Sequence, residues 1–368
     1  MTIIPNALLD LNGVSSRAAS WVFELYEAGN SLGTLQLLDR QAPPALTVDV
    51  SRAIKRTLTG LSFLPDEVAD INVIKASIKL SMQLSDGTMW PQGVFLFSDV
   101  SRNVVTNKNG ITFSIGEASL VDQLLIVDQE LDRSVSYSPG TVITDAIGSL
   151  LAELPITYEI QPSSAQVNTA EAISWTIGTR RLRIINELAM MIGYHDLYFD
   201  NNGMGRLGPV LDPDTVPDDQ ILMYRIGQRT FLGSVTRSTN ILDLPNRFVV
   251  VNNGPTDVPV VGTYDIPPGA PHSFENRGFF VTRVELSQGI ASDADADYAA
   301  LQLSKQWRFP FETIEFSGPP DPRHDHYQIV DFEGQRLLEL NWNMTLVDGS
   351  DMTHTLRRIS PPQPGEDV

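Results

Sequence analysis

The sequence has no cysteine in its 368 residues, which excludes disulfide scaffolds and every metal site built on thiolates. Histidine is scarce, with five in all, and cations are outnumbered: 26 Lys plus Arg against 45 Asp plus Glu leave a formal charge of −19 at pH 7. Binding to a polyanion depends on cations that neutralise phosphates, so tight nucleic-acid binding is not expected. The basic runs Arg180-Arg181-Leu182-Arg183 and Arg357-Arg358 read as solvated or acid-paired faces. No run approaches the roughly twenty apolar residues that cross a bilayer, and Met1 to Asp10 lacks the basic-then-apolar pattern of a signal peptide. No membrane segment and no processing are expected. The lack of thiols fits synthesis inside a cell and equally fits a particle that later leaves it.

What is present is a chain long enough for roughly two to four units, with 42% hydrophobic residues to fill their cores. The first third is a series of short β-rich runs, Trp21 to Tyr26, Thr34 to Leu38, Leu46 to Val50, Ala76 to Leu84 and Val94 to Phe97. In Ile78 to Leu84 apolar side chains take every second position, so one face is buried and the other wet, and Asp86-Gly87 supplies a hairpin turn. A β-barrel or sandwich is the natural closure for so many strands, because closure removes unpaired edges.

From about Asp128 the pattern becomes α+β. One helix is predicted after Ser138-Pro139-Gly140 with Val142, Ile143, Ala146, Ile147, Leu150 and Leu151 on its apolar side. A second follows Thr179, carries Leu182, Ile184, Ile185, Leu188, Ala189, Met191 and Ile192 on one face, and stops at Gly193. Tyr194 to Phe199 then reads as a strand and Asp200-Asn201-Asn202-Gly203 as a turn. The Pro- and Asp-rich link Asp212 to Asp219 marks a boundary, after which Leu222 to Ile226 and Arg247 to Val251 read as strands of another β unit. Gly278 to Leu286 reads as a strand and Ala294 to Trp307 as a helix of an insertion. The last strand candidates are Glu312 to Ser317, Tyr327 to Phe332, Arg336 to Leu340 and Met344 to Val347, and the polar Pro361 to Val368 reads as a disordered tail.

Several motifs imitate catalytic sites. Gly203-Met204-Gly205-Arg206-Leu207-Gly208 spells GxGxxG after a strand, yet Pro209 and Pro213 deny it the helix whose N-terminus would face a pyrophosphate. Gly29-Asn30-Ser31-Leu32-Gly33 spells GxSxG, but strands flank it on both sides, so it lacks a nucleophile elbow. Asp293-Ala294-Asp295-Ala296-Asp297 starts like a calcium loop, but Tyr298 stands where its glycine belongs and Ser304 where its closing glutamate belongs. His324-Asp325-His326, with Asp321 nearby and His354 further on, offers the candidate metal ligands His324 and His326: on a strand, alternate side chains point the same way and both imidazoles could meet one ion, but the sequence fixes no third ligand, surface histidines in a proline-rich turn are commoner, and no metal is expected. No P-loop, HExxH or kinase motif occurs, no carboxylate pair stands out, and neither catalytic residues nor a cofactor are expected.

Three segments together resemble the baseplate or tail-tip hub proteins of tailed bacteriophages, particularly hub-like minor tail proteins of long-tailed phages. They are Val48-Asp49-Val50-Ser51-Arg52-Ala53-Ile54-Lys55-Arg56-Thr57-Leu58 leading to Trp90-Pro91-Gln92-Gly93-Val94-Phe95; Ile192-Gly193-Tyr194 with Tyr198-Phe199-Asp200 and Gly203; and Asp321-Pro322-Arg323-His324 leading to Trp342-Asn343-Met344 and Thr355-Leu356-Arg357-Arg358. The resemblance implies a mainly β fold with two β-barrel, tube-type domains and two smaller α+β domains. Residues 1–128 would form the first barrel, 129–212 an α+β domain, 213–256 with 306–368 the second barrel, and 257–305 a small α+β insertion.

By the same resemblance three chains would form a homotrimer whose six barrels join a hexameric tail tube, or a distal tail protein ring, above to threefold tip, spike or fibre proteins below. The ring would sit at the tail tip of a virion assembled in a host bacterial cytoplasm. The tape measure protein and transiting DNA would pass through its channel without tight binding, and acids lining that channel would repel the DNA backbone. Larger relatives carry a peptidoglycan-cleaving domain beyond the hub, and this chain, ending at Val368, is expected to have none. The rival reading is a carbohydrate- or receptor-binding β protein, suggested by exposed turns and by Trp21, Trp90, Trp175, Trp307 and Trp342.

Overall fold

A computed structural model describes residues 20–357 except 39–42, 65–70, 107–111, 168–171, 214, 227–231, 239–243, 253–259, 288–289, 291 and 307–311. The readings made at Met1 to Asp10, Trp307 and Pro361 to Val368 lie outside the described residues.

Seven strands open the chain: β1 (Ser20–Glu27), β2 (Asn30–Thr34), β3 (Ala45–Asp49), β4 (Arg56–Phe63), β5 (Ala76–Gln83), β6 (Met89–Thr106) and β7 (Thr112–Asp122). The alternation seen in the sequence is the alternation of burial, with Ile78, Leu80 and Met82 of β5 fully inside. The β1–β2 turn is made by Ala28 and Gly29, both at positive φ, the pair of torsions that matches the twist of a two-residue hairpin.

An α+β unit follows: α1 (Leu124–Val127), β8 (Val135–Tyr137), α2 (Ile143–Leu151), β9 (Tyr158–Ile160), β10 (Ile173–Trp175), α3 (Arg181–Met191), β11 (Tyr198–Phe199) and β12 (Gly205–Leu207). Both helices carry the faces that their periodicity predicts. Ile143, Ala146, Ile147, Leu150 and Leu151 of α2 are buried, and so are Leu182, Ile184, Ile185, Leu188 and Ala189 of α3, in one core with Trp175, Leu197 and Phe199. Gly193 ends α3 at φ 74°, a conformation closed to most side chains.

The third part holds β13 (Leu222–Tyr224), β14 (Leu232–Ser238), β15 (Arg247–Asn252), β16 (Val261–Asp265), α4 (Phe274–Arg277), β17 (Thr282–Ser287) and α5 (Asp293–Gln306). The last holds β18 (Thr313–Gly318), β19 (Ile329–Phe332), β20 (Gln335–Thr345) and β21 (Met352–Arg357). The sequence reading placed Arg247 to Val251 in the second β unit, and the structure corrects this. Strand β15 pairs with β16 and β17 in a separate sheet, and its Phe248 and Val250 pack against Ala296, Ala299, Ala300 and Leu303 of α5. Strand β15 thus lies with β16 and β17, not in the large sheet.

The mainly β class with α+β units holds, in the form of one shared open sheet. Its strands follow the order β14-β18-β21-β20-β3-β4-β7-β6-β5-β1-β2, with β19 and β13 attached to the side of β20. Among the described residues this ladder does not close into a barrel. The edge of β3 pairs with β20 of the second unit, from Asn341 opposite Asp49 to Thr345 opposite Ala45, and the segment after β2 returns to β4 through an isolated bridge between Leu37 and Phe63. Across that seam Asn343 donates to Thr47 at 2.6 Å. Trp342, Met344 and Met352 from beyond it enter the core of the first unit.

Candidate functional site

The turn 321–327, between β18 and β19, is the point where the first sheet half, the α+β unit and the second sheet half meet. Arg56 opens β4 at the centre of this junction and is almost wholly buried. Its guanidinium donates to the Gln92 carbonyl at 2.6 Å, to Asn201 Oδ1 at 2.8 Å and to Asp325 Oδ1 at 3.0 Å, one acceptor from each part. Gly93 leaves room for it, since a Cβ there would lie 2.7 Å from Nη1 of Arg56.

Neighbouring bonds complete the joint. Gln92 donates to the Pro322 carbonyl at 3.0 Å, and Asn201 donates to the His324 carbonyl at 2.8 Å and through its backbone to Asp325 Oδ2 at 3.2 Å. Lys55 donates to the Val50 and Arg52 carbonyls at 2.9 and 3.1 Å and contacts Asp196 at 3.4 Å. His195 stacks on Tyr327 and Tyr198 packs against His326, with ring centroids 4.9 and 4.8 Å apart.

Two carboxylates in this joint, the buried Asp122 and the half-buried Asp325, behave differently. Asp122 accepts from the backbone N–H groups of Arg56 and Leu124, each at 3.0 Å, and burial pushes its carboxyl up to about 6 despite those bonds. Burial also pushes Asp325 upward, but the hydrogen bond from His326 and the charge of Arg56 outweigh it and hold the carboxyl below its usual range. Burial pushes both His324 and His326 down to about 4, so both imidazoles are neutral at pH 7.

The structure separates the two candidate metal ligands. Residues 324–326 lie in a turn, and the imidazoles engage different neighbours. His326 Nδ1 donates to Asp325 at 3.0 Å, within the Arg56 joint. His324 Nδ1 donates to Glu339 Oε2 at 2.5 Å, and its Nε2 meets the Tyr224 hydroxyl at 2.6 Å. His354 Nδ1 donates to the other oxygen, Oε1, at 2.7 Å. Two imidazoles thus converge on one carboxylate, and His324, Glu339 and His354 are all at most 2% exposed.

The sequence reading noted His354 but missed Glu339. A bulge between Glu339 and Asn341 shifts the phase of β20, so Leu337 and Glu339 point inward before it and Trp342 and Met344 after it. A glutamate in phase with buried Leu337 was the available signal.

The imitation motifs take structural parts. Gly203, at φ 77°, presses a turn onto the first unit, where a Cβ would stand 2.6 Å from Val94, and β12 follows it instead of a helix. Gly29 to Gly33 is a hairpin turn and strand β2. In the 293–297 run, Asp295 bonds Ser292 at the start of α5 and Asp297 accepts from the Thr263 N–H of β16. Arg180, Arg181 and Arg183 pair with Asp128, Glu153 and Glu187. Trp175 and Trp342 are buried and offer no face to a sugar, and Trp21 and Trp90 pack half-buried on the first core.

No protein-family model matches the chain, and no curated protein is similar to it. Solved structures are similar in fold. The tail protein from Neisseria meningitidis MC58 superposes with a TM-score of 0.59 at 11% identity, over 92% of this chain and 96% of its own. The 43 kDa tail protein of prophage MuSo2 from Shewanella oneidensis gives 0.58 at 11% identity, over 92% and 98%. A chain of the Francisella PdpA-VgrG complex gives 0.52 at 10% identity, over 99% of this chain and 62% of its own. The chain therefore has the fold of these tail proteins along nearly its whole length.

Proposed function

We propose that the chain is a non-enzymatic structural component of a phage tail, a trimeric hub that joins a hexameric tube to a threefold tip. The observation that carries this reading is the β3–β20 seam, which fuses two sheet halves side by side in a single chain. A chain that presents two tube-type faces lets three copies offer six, which reconciles sixfold and threefold partners. The fold shared with solved tail proteins over 92% of the chain supports the same reading.

In this reading residues 1–128 and 213–256 with 306–368 are the tube-type domains, with the insertion start moved before Arg247, and 129–212 and the insertion decorate them. The net charge of −19 suits a channel wall from which DNA slides without sticking. A tube or distal tail ring would dock above, tip or spike proteins below, and the tape measure protein within.

Native mass measurement of the purified chain tests the proposal. The expected species has three times the 40.6 kDa of one chain, with an open bore in particle images. A species that stays monomeric at micromolar concentration, or a ring with a sealed centre, contradicts the hub.

A further inference from the structure

We propose that His324, Glu339 and His354 form a structural site for a divalent transition metal, with zinc the best fit. The three donors are held by separate segments: His324 by the 321–327 turn, Glu339 by β20 and His354 by β21. Their ligand-type atoms all lie within 4.8 Å of one another and all three residues are buried. Two imidazoles and one carboxylate are a common zinc donor set, leaving a fourth position.

An outer hydrogen bond orients the His324 ring as a ligand requires, and ring packing holds His354. The Tyr224 hydroxyl sits 2.6 Å from His324 Nε2, so it can accept that N–H and leave Nδ1 for the metal. His354 is held face-on by Phe316, with centroids 4.6 Å apart and planes 17° apart, and its Nε2 has no hydrogen-bond partner among the described residues.

Asp321 is engaged by Arg323 through bonds of 2.9 and 2.5 Å, so Glu339 is the carboxylate that faces both imidazoles. The present N···O separations of 2.5 and 2.7 Å are those of hydrogen bonds. Ligand atoms around zinc stand about 3.3 Å apart, so the imidazoles need to retreat by less than about 1 Å while each ring's single proton passes from Nδ1 to Nε2, which leaves both imidazoles neutral.

The experiment uses the full-length chain, stripped with a chelator, reloaded with Zn²⁺ and desalted, with metal content measured by mass spectrometry. About one retained ion per chain is expected, and Co²⁺ in its place should give the intense visible bands of a tetrahedral site. Glu339→Gln keeps the shape and two hydrogen bonds to the imidazoles but lacks the anionic ligand. It should fold with an unchanged circular dichroism spectrum and lose affinity by about a hundredfold or more. Wild-type protein that retains no ion, or a folded Glu339→Gln protein that retains it fully, overturns the proposal. Should Glu339→Gln fail to fold, X-ray absorption on the wild-type Co²⁺ form decides: two imidazole ligands support the site, and none or one refutes it.

Discussion

Arg56 shows how much one residue can carry. Its guanidinium reaches a carbonyl of β6, an amide oxygen of the α+β unit and a carboxylate of the 321–327 turn, so three units share one buried cation. Arg56→Met would keep much of the volume but leave the half-buried Asp325, the Gln92 carbonyl and Asn201 without their shared donor. Hydrogen bonds to a charged group contribute about 1.5–3 kcal/mol each. Denaturant unfolding should therefore show a midpoint far below that of the wild type, and a loss under about 1 kcal/mol would mean that the joint is ornamental.

Asp122 gives a pH-dependent readout of the same joint. Its folded carboxyl titrates near 6 against an unfolded 3.8, so the folded chain takes up a proton where the unfolded chain does not. That group's contribution is full below pH 3.8 and is lost as pH rises through 6. Asp122→Asn abolishes it. The stability lost in the variant should be greater at pH 5 than at pH 7 by about 1 kcal/mol. Equal losses at both values, measured by urea titration, would show that Asp122 ionises normally.

At the scale of elements, the seam between β3 and β20 makes a cooperative prediction. The two sheet halves share both a backbone ladder and a core, because Trp342, Met344 and Met352 pack among Leu46, Val48 and Leu58. Amides of β3 and β20 should therefore exchange with solvent only through the most costly opening, and both halves should melt together. Separate melting of 20–122 and 313–357, detected by hydrogen exchange read peptide by peptide, would refute the shared unit.

Elements with a repeating pattern are legible in the sequence. In α2 and α3 most of the predicted apolar face is buried, because a helix buries a stripe that its own sequence defines, although α3 also buries Arg181 and Glu187 and leaves Met191 and Ile192 half-buried. Pairing was less legible. Nothing local in Arg247 to Val251 says which strand lies beside it, so β15 was assigned to the wrong sheet, and nothing in the β-rich first third says that β3 pairs with a strand almost 300 residues away. The junction was half legible: the segments that carry the family resemblance contain Arg56, Gln92, Gly93, Tyr198, Asp200, Arg323, His324 and Trp342, which the fold draws together. Glu339 and Asn201 escaped because a bulge phase and a turn orientation are decided by tertiary packing.

For the whole molecule, charge decides how copies meet. Each chain carries a formal −19, and the proposed trimer would bring three such charges into one ring, where repulsion opposes assembly. Salt shortens the reach of that repulsion from about 30 Å at 0.01 M to about 8 Å at 0.15 M ionic strength. Apolar burial at an interface is hardly affected over this range, so the balance shifts toward the ring as salt is added. Sedimentation at a fixed, low chain concentration should show the trimer fraction rising across that interval. A fraction that falls instead would mean that ion pairs between chains hold the interface, and acids placed against basic partners could not then be the ones that line a DNA-repelling bore.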